Sequence, residues 1–117
     1  MYTLAGRRRN QPPPPWVVWE ALVAPNRDPR RPWLQLRADE TAPRVLTATR
    51  PVLVVWSTLW PAHPDDRIRF DLTPTGQETT LAWALLSPVE RDAEEVAPRR
   101  RRINELINAR LRYTFGQ

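Results

Sequence analysis

The residues able to do chemistry are few and clustered. The one histidine, His63, lies in Pro61-Ala-His-Pro-Asp-Asp66, close to the carboxylates of Asp65 and Asp66. A general base or a single metal contact needs such neighbours. The segment is also a proline-rich turn, and turns sit at the surface. Asp65 and Asp66 are adjacent at the entry to a predicted strand, so they point to opposite faces and form no paired-carboxylate site. With no cysteine, disulfides, thiolate metal sites and cysteine nucleophiles are excluded. One histidine cannot build a multi-histidine site, and three glycines leave no room for a phosphate-cradling loop. Tyr113, Asp71 and the arginines remain as acid–base candidates, none with a partner at a useful spacing. No catalytic residue, metal ligand or cofactor is predicted.

The six tryptophans are the stronger signal. Trp33, Trp56, Trp60 and Trp83 fall on or beside predicted strands, and Trp16 and Trp19 on the first predicted helix. An indole offers a broad apolar wall and one N–H donor, which suits a planar ligand as well as a packed core. Asn104, Asn108 and Arg112, spaced at i, i+4 and i+8, form a polar stripe that reads as a solvated flank of the last helix. Beside a cavity the same stripe would orient a polar head group. Tyr113 and Phe115 follow it as plugs for one side of the sheet.

The positive charge is all arginine: 18 basic residues, no lysine, and a net charge of +5. Arg7–Arg9, Arg27/Arg30/Arg31 and Arg99–Arg102 form three basic knots that could contact phosphate. Residues 51–117 nevertheless balance their arginines with acids, and Glu90, Asp92, Glu94 and Glu95 precede the third knot. Coding bias toward arginine and solvated faces explain the pattern better, so no nucleic-acid partner is predicted. The longest apolar run, Pro51–Trp60, is too short to span a bilayer. Residues 1–9 lack the apolar core of a leader, so no membrane association and a cytoplasmic location are expected.

These residues need elements to position them. Pro15 suits the first turn of a helix, Trp16–Val23 carries Val18, Trp19, Leu22 and Val23 on one stripe, and Pro25 ends it. Asn26–Pro32 reads as a loop and Trp33–Arg37 as a short strand. Four strands follow at Arg44–Arg50, Val52–Leu59, Arg67–Thr73 and Thr79–Leu86. In the third, Ile68, Phe70 and Leu72 alternate with Arg67, Arg69 and Asp71. Gly76 supplies the positive φ for a tight hairpin into the fourth. Ile103, Leu106, Ile107 and Leu111 form the apolar stripe of a terminal helix. Pro98 interrupts it, so its regular part is predicted from Arg99, with Gly116 as its stop. The 117 residues suit one domain of α+β class, an antiparallel sheet wrapped around the last helix.

With those elements in order, Pro13-Pro-Pro-Trp-Val-Val-Trp-Glu-Ala-Leu-Val-Ala-Pro25 resembles the first helix of the SRPBCC, or START-like, superfamily. Pro51-Val-Leu-Val-Val-Trp56, Asp66-Arg-Ile-Arg-Phe-Asp-Leu72 and the Thr-x-Leu-x-Trp after Gly76 resemble its strands. The resemblance implies a helix-grip (Bet v 1-like) fold, a curved antiparallel sheet gripping a long C-terminal helix over a hydrophobic cavity. It also implies a first strand at Tyr2–Arg9, whose alternation is weak. Residues 26–43 are short for the superfamily, which leaves the cavity partly open or filled. The implied function is binding of a small hydrophobic molecule, lipid or aromatic and polyketide-like, by a monomer or homodimer, without turnover. Two other branches supply alternatives: a polyketide cyclase/dehydratase-type enzyme, and an Hsp90-activator-like interaction module that uses the arginine-rich face of residues 27–37. The cavity lining would comprise Trp33, Val55, Trp56, Trp60, Ile68, Phe70, Leu72, Leu81, Trp83, Leu85, Ile103, Leu106, Ile107, Asn108 and Leu111.

Overall fold

In a computed structural model describing residues 1–116, five antiparallel strands form one curved sheet. Strands β1 (Tyr2–Gln11), β2 (Val45–Thr49), β3 (Leu53–Ser57), β4 (Arg67–Thr75) and β5 (Glu78–Ser87) lie in the order β1-β5-β4-β3-β2. Helix α1 (Pro15–Val23) follows β1. The long helix starts as α2 (Ala93–Glu105), widens to a π-helical stretch at Leu106–Leu111 and ends in a short turn, α3 (Arg112–Thr114). Together these make 22 helical residues against the sheet, the helix-grip arrangement that the sequence implies.

Register explains which side chains face the helix. Residues directly opposite in an antiparallel pair share a face. Val54, Phe70 and Trp83 therefore form one cross-strand row, and Trp56, Ile68 and Leu85 the next. All six are nearly or fully buried. Val55 corrects the sequence reading: it pairs with Thr47 and Arg69 and is only half-buried, because the two-residue period puts it opposite Trp56. Val54 takes the inward place. The β4–β5 hairpin closes Thr75 onto Glu78, with Gly76 at a φ of 62°.

The weak alternation of the first strand has a physical basis. By its register with β5, the helix-facing side of β1 carries Ala5, Arg7, Arg9 and Gln11, of which the two arginines stay exposed at the sheet edge. Inward charge on an edge strand discourages edge-to-edge pairing. The opposite edge, β2, is exposed along its whole length.

Two further expectations are revised. Trp33–Arg37 is not a strand, because its backbone groups are engaged elsewhere. The Asn26 side chain accepts from Leu34 N at 2.9 Å and donates to Leu34 O at 2.8 Å, while Glu40 accepts from Arg37 N and Arg102 donates to Gln35 O. The long helix begins at Ala93, not Arg99, and runs through Pro98. Pro98 is exposed, and buried Val96 and Arg99 anchor the helix on either side of it. Gly116, with a φ of 85°, follows the last turn as predicted.

Candidate functional site

The predicted lining residues other than Val55 and Asn108 meet in one apolar cluster, with Ile103, Leu106, Ile107 and Leu111 supplying the helix side. Trp33 stacks on Trp56 with ring centroids 6.0 Å apart and 24° between planes, and Trp56 meets Phe70 edge-on at 4.7 Å. The indole N–H groups are engaged within the protein. Trp56 donates to Leu22 O at 2.8 Å, Trp83 to Asn104 Oδ1 at 3.1 Å, and Trp19 to Leu53 O at 3.1 Å.

Two members of the polar stripe, the part-buried Asn104 and Asn108, join this network, while Arg112 donates to Asn10 O at the surface. Asn108 donates to Asn104 Oδ1, and Gln11 reaches both Ile107 O and Asn108 Oδ1 at 3.4 Å. The Ile107 O that accepts from Gln11 lies within the π-helical stretch. Phe115 packs against the core as expected, whereas Tyr113 is 77% exposed and plugs nothing.

Clefts open at the margins of this packed interior. A cleft of 870 Å3 separates the loop at Arg30, Arg31 and Trp33 from the helix end at Arg110, Tyr113 and Thr114. One wall of it belongs to the 26–43 segment, a loop braced by the two hydrogen bonds between Asn26 and Leu34. Trp33, only 5% exposed, is the wall that links this cleft to the core. Ile68, Phe70, Leu81, Trp83 and Leu85 line no part of it. Trp60 lies apart from Trp33, beside a smaller recess at the middle of α2.

That recess is built from buried ions that sequence reasoning missed. Arg102 donates from Nε and Nη2 to Glu40 at 2.8 and 2.9 Å, and also to Gln35 O. Arg99 pairs with Asp66 at 2.6 Å. Burial works to raise the Glu40 pKa, but hydrogen bonds from Arg102 and the Arg37 N–H, with both arginine charges, hold it below the usual carboxylate range. His63 is half-buried instead of exposed, and burial, then the charge of Arg99, pushes its pKa down. Asp65 is exposed and Asp66 buried, the opposite placement expected of neighbours. The signal available in the sequence was the spacing Val96, Arg99, Ile103, Leu106, which continues the apolar stripe through one arginine. Arg100 and Arg101, between the buried arginines, are exposed. Among the described residues no cluster of three metal-ligating side chains exists, and no helix is long and apolar enough to cross a membrane.

No protein-family model matches the sequence, and no curated protein matches it. Solved structures do. The chain is similar to an Aha1 dimer from Colwellia psychrerythraea, with 15% identity, a TM-score of 0.70, and coverage of 93% of this chain and 92% of that one. CalU16 from Micromonospora echinospora superposes with a TM-score of 0.65 at 17% identity, covering 88% of this chain and 68% of that one. Mll3558 from Rhizobium loti gives 0.54 at 18% identity over 90% and 92%. At such identities the likeness shows the fold alone: the Bet v 1-like, helix-grip arrangement of a curved antiparallel sheet around a long C-terminal helix.

Proposed function

We propose that this protein binds a small hydrophobic molecule, lipid-like or aromatic, in the cleft between Trp33 and the end of the long helix. The observation that carries this reading is the cleft itself. Its 870 Å3 falls within the range of small-molecule sites, it has an indole wall and a phenol rim, and it adjoins a core whose own indole donors are engaged. Arg30, Arg31 and Arg110 at its margin favour a ligand with an acidic end. Titration with naphthalene carboxylate or decanoate, followed by tryptophan fluorescence, is expected to saturate at one ligand per chain. Trp33→Leu should weaken binding roughly three- to tenfold through loss of the aromatic contact. A linear, unsaturable response to both compounds would sink the reading.

A second reading, a homodimer, is favoured by β2. This unpaired edge carries Val45 and Leu46 at 39% and 40% exposure, and an exposed edge is a template for strand addition. The Aha1 structure to which the chain is similar is a dimer. Light scattering at rising concentration should show the mass doubling, and Leu46→Lys should keep it at one chain. A single-chain mass throughout removes this reading.

A further inference from the structure

Two of the side chains that line the recess at the middle of α2 carry a buried nitrogen that no described residue satisfies. The recess measures 280 Å3 and lies between Trp60, Ala62 and His63 on one side and Pro98 and Arg99 on the other. The Arg99 side chain is only 7% exposed, and its Nη1 is committed to Asp66. Its second terminal nitrogen, Nη2, is buried without a hydrogen-bond partner, and so is His63 Nδ1. Buried polar atoms are almost always paired, so two orphans on one recess point to a group that arrives from outside.

Charge decides which group. The acids around the recess are already matched: Asp66 by Arg99, Glu40 by Arg102 and Glu95 by Arg91. Asp39, also on its wall, adds negative charge without a partner among the described residues. Arg37, also on the wall, is matched by Glu105, so a further anion would enter a neutral to negative surrounding, and a cation could not accept from Arg99 Nη2. An uncharged oxygen acceptor fits both conditions.

We propose that the recess binds the carbonyl oxygen of a small neutral compound, held by Arg99 Nη2 and the His63 Nδ1–H, with Trp60 against its apolar side. In neutral imidazole one ring nitrogen carries the proton, and its placement on Nδ1 makes that atom the second donor. The site is separate from the Trp33 cleft and does not depend on what that cleft holds. Trp60 supplies the flat wall, which selects a planar amide or ketone over a branched alcohol.

Because His63 is the only histidine, its imidazole signals report the recess without ambiguity. Titrating pyrrolidone, a neutral lactam, into the isotope-labelled full chain at neutral pH is expected to shift those signals saturably at about millimolar concentration, as befits so small a ligand. Acetate should leave them unmoved. Nuclear Overhauser contacts from the lactam ring to the Trp60 indole should appear in the same sample. Arg99→Lys retains a cation beside Asp66 but loses the forked donor, and should weaken binding by about tenfold or more. Unsaturable shifts, a response to acetate alone, absence of the Trp60 contacts, or equal binding by the folded Arg99→Lys variant would each overturn the proposal.

Discussion

Replacing Trp56 with alanine is expected to cost about 3–5 kcal/mol of folding free energy, close to the whole stability of a modest domain. The side chain is 1% exposed and packed between Trp33 and the edge of Phe70, so its removal leaves a cavity that three elements would have to collapse around. It has a second role. The last carbonyls of any helix lack intrahelical partners, and the Trp56 indole satisfies Leu22 O in the final turn of α1. Trp56→Phe should therefore recover most of the packing but lack the donor, with a remaining deficit of about 1–2 kcal/mol. Trp16→Ala, at a site 51% exposed, should fall within about 0.5 kcal/mol of the parent. Urea unfolding of the three variants checks the ranking, and equal costs at Trp56 and Trp16 would refute the packing assigned to them.

Arg102→Met is the second change with a large expected cost, also about 3–5 kcal/mol. Its side chain and that of Glu40 are 6% and 1% exposed, so removing the guanidinium strands a carboxylate out of water. Gln35 O also loses its donor. The double variant Arg102→Met/Glu40→Met should recover most of the loss, because it removes the buried charge together with its partner. The pH dependence separates this cause from lost packing. In the parent, the folded pKa of Glu40 is lowered, so its contribution is fully present above the ordinary carboxylate pKa and fades as pH falls through the folded value. In Arg102→Met the same carboxyl, buried without its partner, titrates above the ordinary value. The penalty should then shrink as pH falls through that raised pKa. A penalty independent of pH would mean that the ion pair is not its source.

The legible parts of the fold were those where a period met clear punctuation. Ile68, Phe70 and Leu72 alternate cleanly, Gly76 marks the turn, and Ile103 to Leu111 keeps a helical stripe, so those elements lie close to where the residues place them. Val55 and Trp56 could not both face inward, and only register with Arg69 and Ile68 decides between them. The Trp33–Arg37 segment has the composition of a strand, but long-range side-chain hydrogen bonds from Asn26, Glu40 and Arg102 occupy its backbone. Such partners are tens of residues away for Arg102, beyond any local pattern. In the sequence Arg99 and Arg102 are indistinguishable from the rest of their charged run, because burial of an arginine depends on a distant acid, here Asp66 and Glu40. The same applies to the cleft. Trp33 was identifiable as a candidate wall, while the helix end opposite it emerged only once the chain had folded.

The ladder between β1 and β5 joins the first strand to the last, with α1 and three strands between them in the chain. Loop-closure entropy makes such a pairing the slowest to gain and the least supported by local contacts. The β2–β5 meander can form from neighbours, so β1 arrives on an edge that already exists. Weakening that ladder is therefore expected to hasten unfolding more than it slows folding, which stopped-flow rates of a β1 variant would check. Gln11, at the end of that ladder and bonded to Ile107 O, ties this late-pairing edge to the wide turn of the long helix.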